Sequence, residues 1–244
     1  MPGQQAIEYC LSYINSESAH VPPPIQFGHE EQSRLTITIS RQSGCGAREV
    51  ADHLARYLQE QTSSTPRWTV FDHDLVEKVL EDHHLPSGLA RHLAEDGVFD
   101  LLEALDELLG VHPSFWTFVQ QTSATISRLA ERGNAILIGR GAQVVTSGRG
   151  RVFHVRLVSS LVKRVEHIRR IRSIDKTEAL AAVRREDRGR KRYLKKYFDK
   201  DIDDPLLYHL VVNTDFMSYE RVARLIGEAA LENFRVEQKV GRSL

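Results

Sequence analysis

An α/β chain, three layers deep with a mostly parallel five-stranded sheet in the middle, is expected from the way short apolar runs alternate with helical periods. The runs are Leu35 to Ile39, Trp68 to Phe71, Ala135 to Ile138, Val152 to Leu157 and His209 to Val212, all rich in β-branched residues. They read as continuous hydrophobicity rather than in-out alternation, which implies strands covered on both faces. The stretch "TITISRQSGCGAREVADHL", Thr36 to Leu54, passes from a β-branched strand through glycines into an amphipathic helix.

At 244 residues the chain can bury one substantial core. Residues 1–33 stand apart from it. Ile7, Cys10, Leu11 and Ile14 fall at helical spacing, so the first 20 residues read as a short amphipathic helix, and "VPPPIQFGHEEQS" as a proline-rich linker. The working domain is expected over 34–244. Within it, Val50, Leu54 and Leu58, with Ala51 and Ala55 beside them, give the helix after the first run a face for the sheet. Between the second and third runs, "DLVEKVLEDHH", "VFDLLEALDELLG" and "SFWTFVQQTSATISRLAERG" are helical patterns too long for a single crossover, so residues 72–133 are expected to form a helical insertion. Helices from about Leu161 and about Lys176 make an arginine-rich hairpin over 160–200, followed by the last strand and a helix around Tyr219 to Glu232.

Composition removes several classes of function. Lys plus Arg and Asp plus Glu balance at 33 each, so no bulk field draws the molecule onto nucleic acid or an anionic membrane, and any basic function must be local. Cys10 and Cys45 are too few for a disulfide framework and lack metal-ligand spacing, which fits a reducing, cytoplasmic setting. No run approaches the roughly 18 apolar residues of a membrane span, and the N-terminus lacks the basic lead and apolar segment of a secretory leader. The histidines are scattered, and His83-His84 lacks the i, i+4 spacing of a zinc pair.

Ligands of an open parallel sheet belong at the carboxyl ends of its strands. There, Gly44-Cys45-Gly46 lets successive backbone N–H groups point at an anion, and the dipole of the following helix adds to the attraction. Ser43, Gly44, Cys45, Gly46, Ala47 and Arg48 are therefore read as a phosphate-binding loop, flanked by Arg41 and Gln42. Its usual lysine is missing, because Gly46-Ala47-Arg48-Glu49 stands where G-K-[ST] is expected. Arg48 is the nearest replacement, although one residue later on a helix it points about 100° from the lysine position. A pair with Asp52 at i+4 is its alternative role. Glu49 takes the place of the hydroxyl that meets magnesium; it is a candidate metal ligand, or an acidic residue favoured by the dipole alone. Cys45 reads as filler, since no nearby histidine activates it.

Other strand ends carry further candidates. Asp72 and Asp74 lie at the mouth of the second strand, where a carboxylate could bind an acceptor hydroxyl, act as its base or hold a magnesium water; capping the next helix is the bland alternative. Arg140, between two glycines, emerges over the cleft where an acceptor phosphate would sit. Arg184, Arg185, Arg188, Arg190 and Arg192 concentrate more cations than one solvated face needs, and such arginines can close as a lid over phosphates.

Taken in order, "ITISRQSGCGAREVA", "VFDHDL", "AERGNAILIGRGA", "DRGRKRYLKKYF" and "DDPLLYHLVVNT" give a chain that resembles the cytidylate kinase-like proteins, a branch of the P-loop nucleoside monophosphate kinases, from roughly Arg34 to Glu228. That family's loop usually reads S-R-Q-x-G-x-G-G-R-E, so the missing lysine is a family trait, and here Ala47 replaces the second glycine of the G-G pair. The resemblance implies strand order 2-3-1-4-5, ATP with Mg²⁺ on the loop, an acceptor under the helical insertion, and a mobile lid acting through Arg188 and Arg190, with Arg164 on the preceding helix. It also implies that Asn213-Thr214-Asp215 lies near the adenine. Authentic bacterial cytidylate kinases carry S-G-x-x-Y-R and D-G-R-D where this chain has Phe71-Asp72-His73-Asp74 and Ile138-Gly139-Arg140-Gly141, so these motifs do not fix the acceptor. The expected activity is ATP-dependent phosphoryl transfer to a small molecule of the nucleoside monophosphate type. Two competitors are a nucleotide-sensing module that binds without transfer, and nucleic-acid binding through the arginine hairpin, which lacks interleaved aromatics apart from Tyr193 and Tyr197. Apolar faces on the N-terminal helix or the insertion would also suit a second copy of the chain.

Overall fold

The computed structural model describes residues 34–72 and 115–241. The N-terminal helix and linker, the first two helical patterns of the insertion, Asp74 and His83-His84 lie outside the described residues. Five strands, β1 (Thr36–Arg41), β2 (Thr69–Phe71), β3 (Ala135–Ile138), β4 (Val152–Val158) and β5 (Leu210–Asn213), pair in the order β2-β3-β1-β4-β5 with every neighbour parallel. Parallel neighbours need crossovers. These involve α1 (Ala47–Thr62), α2 (Phe115–Arg132), the short α3 (Ala142–Val145), and the hairpin of α4 (Leu161–Arg172) and α5 (Lys176–Phe198); α6 (Tyr219–Gly241) closes the chain. The expected α/β layering and strand order are thus observed. None of the described helices is long and apolar enough to cross a membrane.

The two faces of the sheet are covered differently. On one, Val50, Leu54 and Leu58 of α1 and Val222, Ala223, Ile226 and Ala230 of α6 meet Ile37 and Ile39 of β1 and Phe153, Val155 and Leu157 of β4. Leu54, Leu58 and Ile226 are fully buried, each contributing roughly 1.5–3 kcal/mol. α6 runs past the expected limit near Glu232 because Phe234 still packs on this core. On the other face, Ile126, Leu129 and Ala130 of α2 and Ala142 of α3 cover Phe71, Leu137 and Val152.

The expectation of uninterrupted hydrophobicity in the central strands needs correcting. Thr36, Thr38 and Ser40 alternate with Ile37 and Ile39 and are buried all the same. They are satisfied by partners from α2 and from the neighbouring strand β4. Thr36 Oγ1 donates to Ala130 O at 3.0 Å, Thr38 Oγ1 lies 2.9 Å from His154 Nδ1, and Arg156 Nη1 donates to Ser40 Oγ at 2.9 Å. Thr38 is the registered partner of His154, and Ser40 that of Arg156. The buried guanidinium is neutralised by Asp203 Oδ1 at 2.6 Å and lies 5.7 Å from the centre of the Tyr208 ring. Replacing Asp203 would remove the carboxylate that neutralises the buried Arg156 guanidinium.

The hairpin has its own small core of Val165, Ile168, Ala179, Ala182 and Val183. Its second helix starts on a capping box: Asp175 Oδ1 accepts from the N–H groups of Thr177 (2.7 Å) and Glu178 (2.9 Å), and the Glu178 carboxylate reaches back to the Asp175 N–H.

Burial, with a smaller push from His209, holds the His154 imidazole down at about 4, against an ordinary 6.5. The unfolded chain therefore takes up this proton first as pH falls, so stability is complete above the ordinary value and is lost on the way down to the depressed one. Urea unfolding between about pH 7 and pH 5 should show this as a loss on the order of 2 kcal/mol. Nitrogen-15 shifts should show the His154 ring still neutral at about pH 5; an imidazolium there would contradict the assignment.

Candidate functional site

The loop after β1 begins as an extension of the sheet. The Gln42 N–H donates to Leu157 O at 3.0 Å, and the Ser159 N–H donates to Gln42 Oε1 at 3.0 Å. The chain then turns through Gly44 (φ +80) and Gly46 (φ +79), both in the left-handed region. Gly46 is the N-cap of α1, and no side chain caps that helix, so its leading N–H groups face the cleft. Close approach as well as φ requires glycine here. A Cβ on Gly44 would lie 2.5 Å from the backbone oxygen of Arg164, and one on Gly46 would lie 2.2 Å from Tyr219 Cζ. Below the loop, Thr214 Oγ1 donates to Cys45 O at 3.1 Å.

This loop forms one wall of a cleft of about 270 Å³, and Arg41, Ser43, Gly44, Cys45, Gly46, Ala47, Arg48 and Glu49 all line it. Arg140, Arg172 and Arg190 reach the same space from β3, α4 and α5. Arg140 (φ +53) stands between Gly139 and Gly141, and the glycines do more than clear its path. A Cβ on Gly139 would lie 1.8 Å from Arg41 Nη1, and one on Gly141 would lie 2.9 Å from Phe198 Cε2. The two loops are thereby fitted together.

Arg48 donates to Asp52 Oδ2 at 3.2 Å through Nε and to Asp72 Oδ2 through Nη1. It thus holds the expected i+4 pair and the carboxylate at the end of β2 together. Partial burial opposes its charge, but Asp52 and Asp72 outweigh this and hold its pKa above the ordinary value. Glu49 Oε1 lies 3.3 Å from His167 Nε2, and His167 Nδ1 lies 3.5 Å from the Tyr219 hydroxyl. Among the described residues, no group of three or more metal-binding side chains is assembled. Arg188 is exposed and is not among the lining side chains. Asn213 and Asp215 serve local structure: Asn213 Oδ1 accepts from the Asp215 N–H at 2.9 Å, and Asp215 accepts from the Ser160 N–H at 3.1 Å at the head of α4. The Cys45 thiol is pushed up to about 11 by burial, against the pull of Arg41, Arg190 and Arg164, and remains an inert thiol.

The contacts least visible in the sequence are made by Glu186 and Asp187. Asp187 Oδ1 accepts from the Ser43 N–H at 2.8 Å and from Arg190 Nη2 at 2.9 Å, while its Oδ2 accepts from Arg164 Nη1 at 2.6 Å. Glu186 accepts from the Ser43 hydroxyl and pairs with Arg172 Nη1 at 2.7 Å. Burial tends to raise the Glu186 carboxyl, but Ser43, Arg172 and Arg190 prevail and hold it below the usual glutamate range. Pairing of these acids with arginines i+3 and i+4 along their helix is a readable pattern. Their reach to a loop more than 140 residues earlier has no local signal.

Because Gly44 meets backbone rather than a movable side chain, Gly44→Ala should lower stability by about 1–3 kcal/mol, read as a fall in Tm. An unchanged Tm would mean that the loop is not clamped against α4.

Residues 36–216 match the cytidylate kinase-like family. No curated protein matches the chain. Among solved structures it is similar to an uncharacterized protein from Eubacterium ventriosum, at 14% identity and a TM-score of 0.58, covering 81% of this chain and 98% of that one. A shikimate kinase from Acinetobacter baumannii aligns at 17% identity and a TM-score of 0.48, over 84% of this chain and 97% of that one. A gluconokinase from Sinorhizobium meliloti aligns at 12% identity and 0.47, over 87% and 99%. At 14% identity, the likeness to the Eubacterium ventriosum protein speaks to the fold alone. With the match running from the start of β1 to the turn before α6, the chain belongs to the cytidylate kinase-like family.

Proposed function

We propose that this protein transfers the terminal phosphoryl group of ATP to a small-molecule acceptor of the nucleoside monophosphate class, in a cytoplasmic setting. One observation carries the reading: a glycine loop at the head of an uncapped helix faces a cleft in which Arg41, Arg48, Arg140, Arg172 and Arg190 converge. Backbone N–H groups and guanidinium groups form a donor set for oxyanions, and the bulk charge of the chain supplies no rival reason for it.

The residues present fit a triphosphate. Loop amides from Ser43 to Arg48 would hold the donor phosphates, with helix-head dipoles and Arg48, one residue past the usual lysine position, supplying the positive charge. Mg²⁺, when bound with the nucleotide, supplies charge neutralisation along the phosphates. Glu49 is the loop's candidate contact to it, consistent with a metal that usually takes one or two carboxylates plus substrate oxygens. Arg190 would meet the equatorial oxygens of the transferring group, with Arg188 joining on closure of the hairpin. Arg140 would hold an acceptor phosphate. Asp72 and Asp74 would orient an acceptor hydroxyl or a metal-bound water. Positioning and exclusion of water account for most of such chemistry.

A second reading, nucleotide sensing without transfer, is favoured by Ala47 in the lysine position and by the Asp187 carboxylate on the Ser43 N–H. ADP formation from ATP and Mg²⁺ across a panel of monophosphates and small hydroxylic acceptors separates the two. Turnover with one of them is expected; ATP binding with no turnover on any acceptor would favour the sensing role. In the active pair, Arg190→Ala should lower kcat by about 100-fold or more with little change in acceptor KM, whereas Arg140→Ala should act mainly on acceptor KM.

A further inference from the structure

We propose that Asp187 and Glu186 form an internal latch, a pair of carboxylates that occupies the phosphate loop and that the terminal phosphates of a nucleotide must displace. The inference rests on the reading of the loop as a phosphate site. Both acids sit side by side on α5, and both reach the same loop residue. Asp187 Oδ1 takes the Ser43 N–H at 2.8 Å, and Glu186 takes the Ser43 hydroxyl. The same carboxylates take guanidinium donors from Arg164 (2.6 Å), Arg190 (2.9 Å) and Arg172 (2.7 Å). One loop amide, one hydroxyl and three guanidinium groups are what a phosphate at this position would use. Ser43 and Arg164 are both buried.

Two anions cannot share these donors at contact distance, because like charges in a partly buried site repel strongly. A phosphate arriving on the Ser43 N–H therefore displaces Asp187. Since Glu186 is its chain neighbour on the same helix, the hairpin must shift or rotate its side chains as a unit. Displacement releases the arginines from carboxylate to phosphate, so emptying the latch and arming the site are one event. A scaffolding role, in which Asp187 merely holds Arg164 and Arg190 in place for phosphate, predicts the opposite sign, because its loss would then weaken binding.

The test is calorimetric titration of the full chain with tripolyphosphate and with ATP, for the wild type, Asp187→Asn, Glu186→Gln and the double variant, with thermal unfolding to verify folding. Each isosteric amide keeps the shape and removes the competing charge. The latch predicts about tenfold tighter tripolyphosphate binding for each single variant, equivalent to about 1.4 kcal/mol, and tighter still for the double. Should Asp187→Asn fail to fold, Glu186→Gln alone carries the same sign. Equal or weaker binding by folded variants, while the wild type binds, would overturn the latch and leave the kinase reading standing. No binding of either polyphosphate by any variant or by the wild type would remove the phosphate-loop reading, and the latch with it.

Discussion

The central constraint on this molecule is a strand buried on both faces that must hand over to a helix within five residues, between Arg41 and Ala47. Left-handed backbone at Gly44 and Gly46 makes the change of direction, and the absence of side chains there lets Arg164 and Tyr219 close in from either side. Everything at the carboxyl edge is placed relative to that turn. The Cys45 carbonyl anchors Thr214 after β5, and Gln42 receives the chain leaving β4. Rigid backbone at the loop is what allows fixed dipoles to serve as binding groups without reorganising.

A neutral chain can still be locally extreme. Arginines from β1, the loop after β3, α1, α4 and α5 are drawn to one cleft, and the molecule tolerates that crowding because Glu186 lines it too while Asp72 and Asp187 pair with Arg48 and Arg190. Arg164 illustrates the arrangement. It is buried, yet its donors meet Ser159 O at 3.0 Å, Ser43 O at 3.2 Å and Asp187 at 2.6 Å, so its charge is compensated from three segments. Most other ion pairs on the hairpin, such as Arg169 with Glu166 and Lys195 with Asp199, are exposed and add little.

Periodicity and punctuation made the scaffold readable. The five apolar runs became the five strands within a residue or two, because a strand needs a short β-rich run and a boundary, both local properties. The α1 face and the hairpin were equally plain. The buried hydroxyls of β1 were not, since nothing in the run itself shows that Thr36 and Thr38 meet Ala130 and His154. At the site, loop glycines and strand-end arginines announced themselves by type and context. Tyr219 beneath Gly46 and His167 beside Glu49 did not: they come from α6 and α4, and only tertiary packing brings them there.

The polar seam between β1 and β4 bears on how the chain chooses one assembly among several. Runs such as AILI and LVV are nearly interchangeable hydrophobic ribbons, and grease alone would let them trade places or slide. A hydroxyl that finds an imidazole, and another that finds a guanidinium, match at one alignment. Slippage by a single residue would turn hydroxyls into the aliphatic layer and leave the Arg156 cation unmatched, so mispaired sheets are penalised even where their oily contacts are equally good.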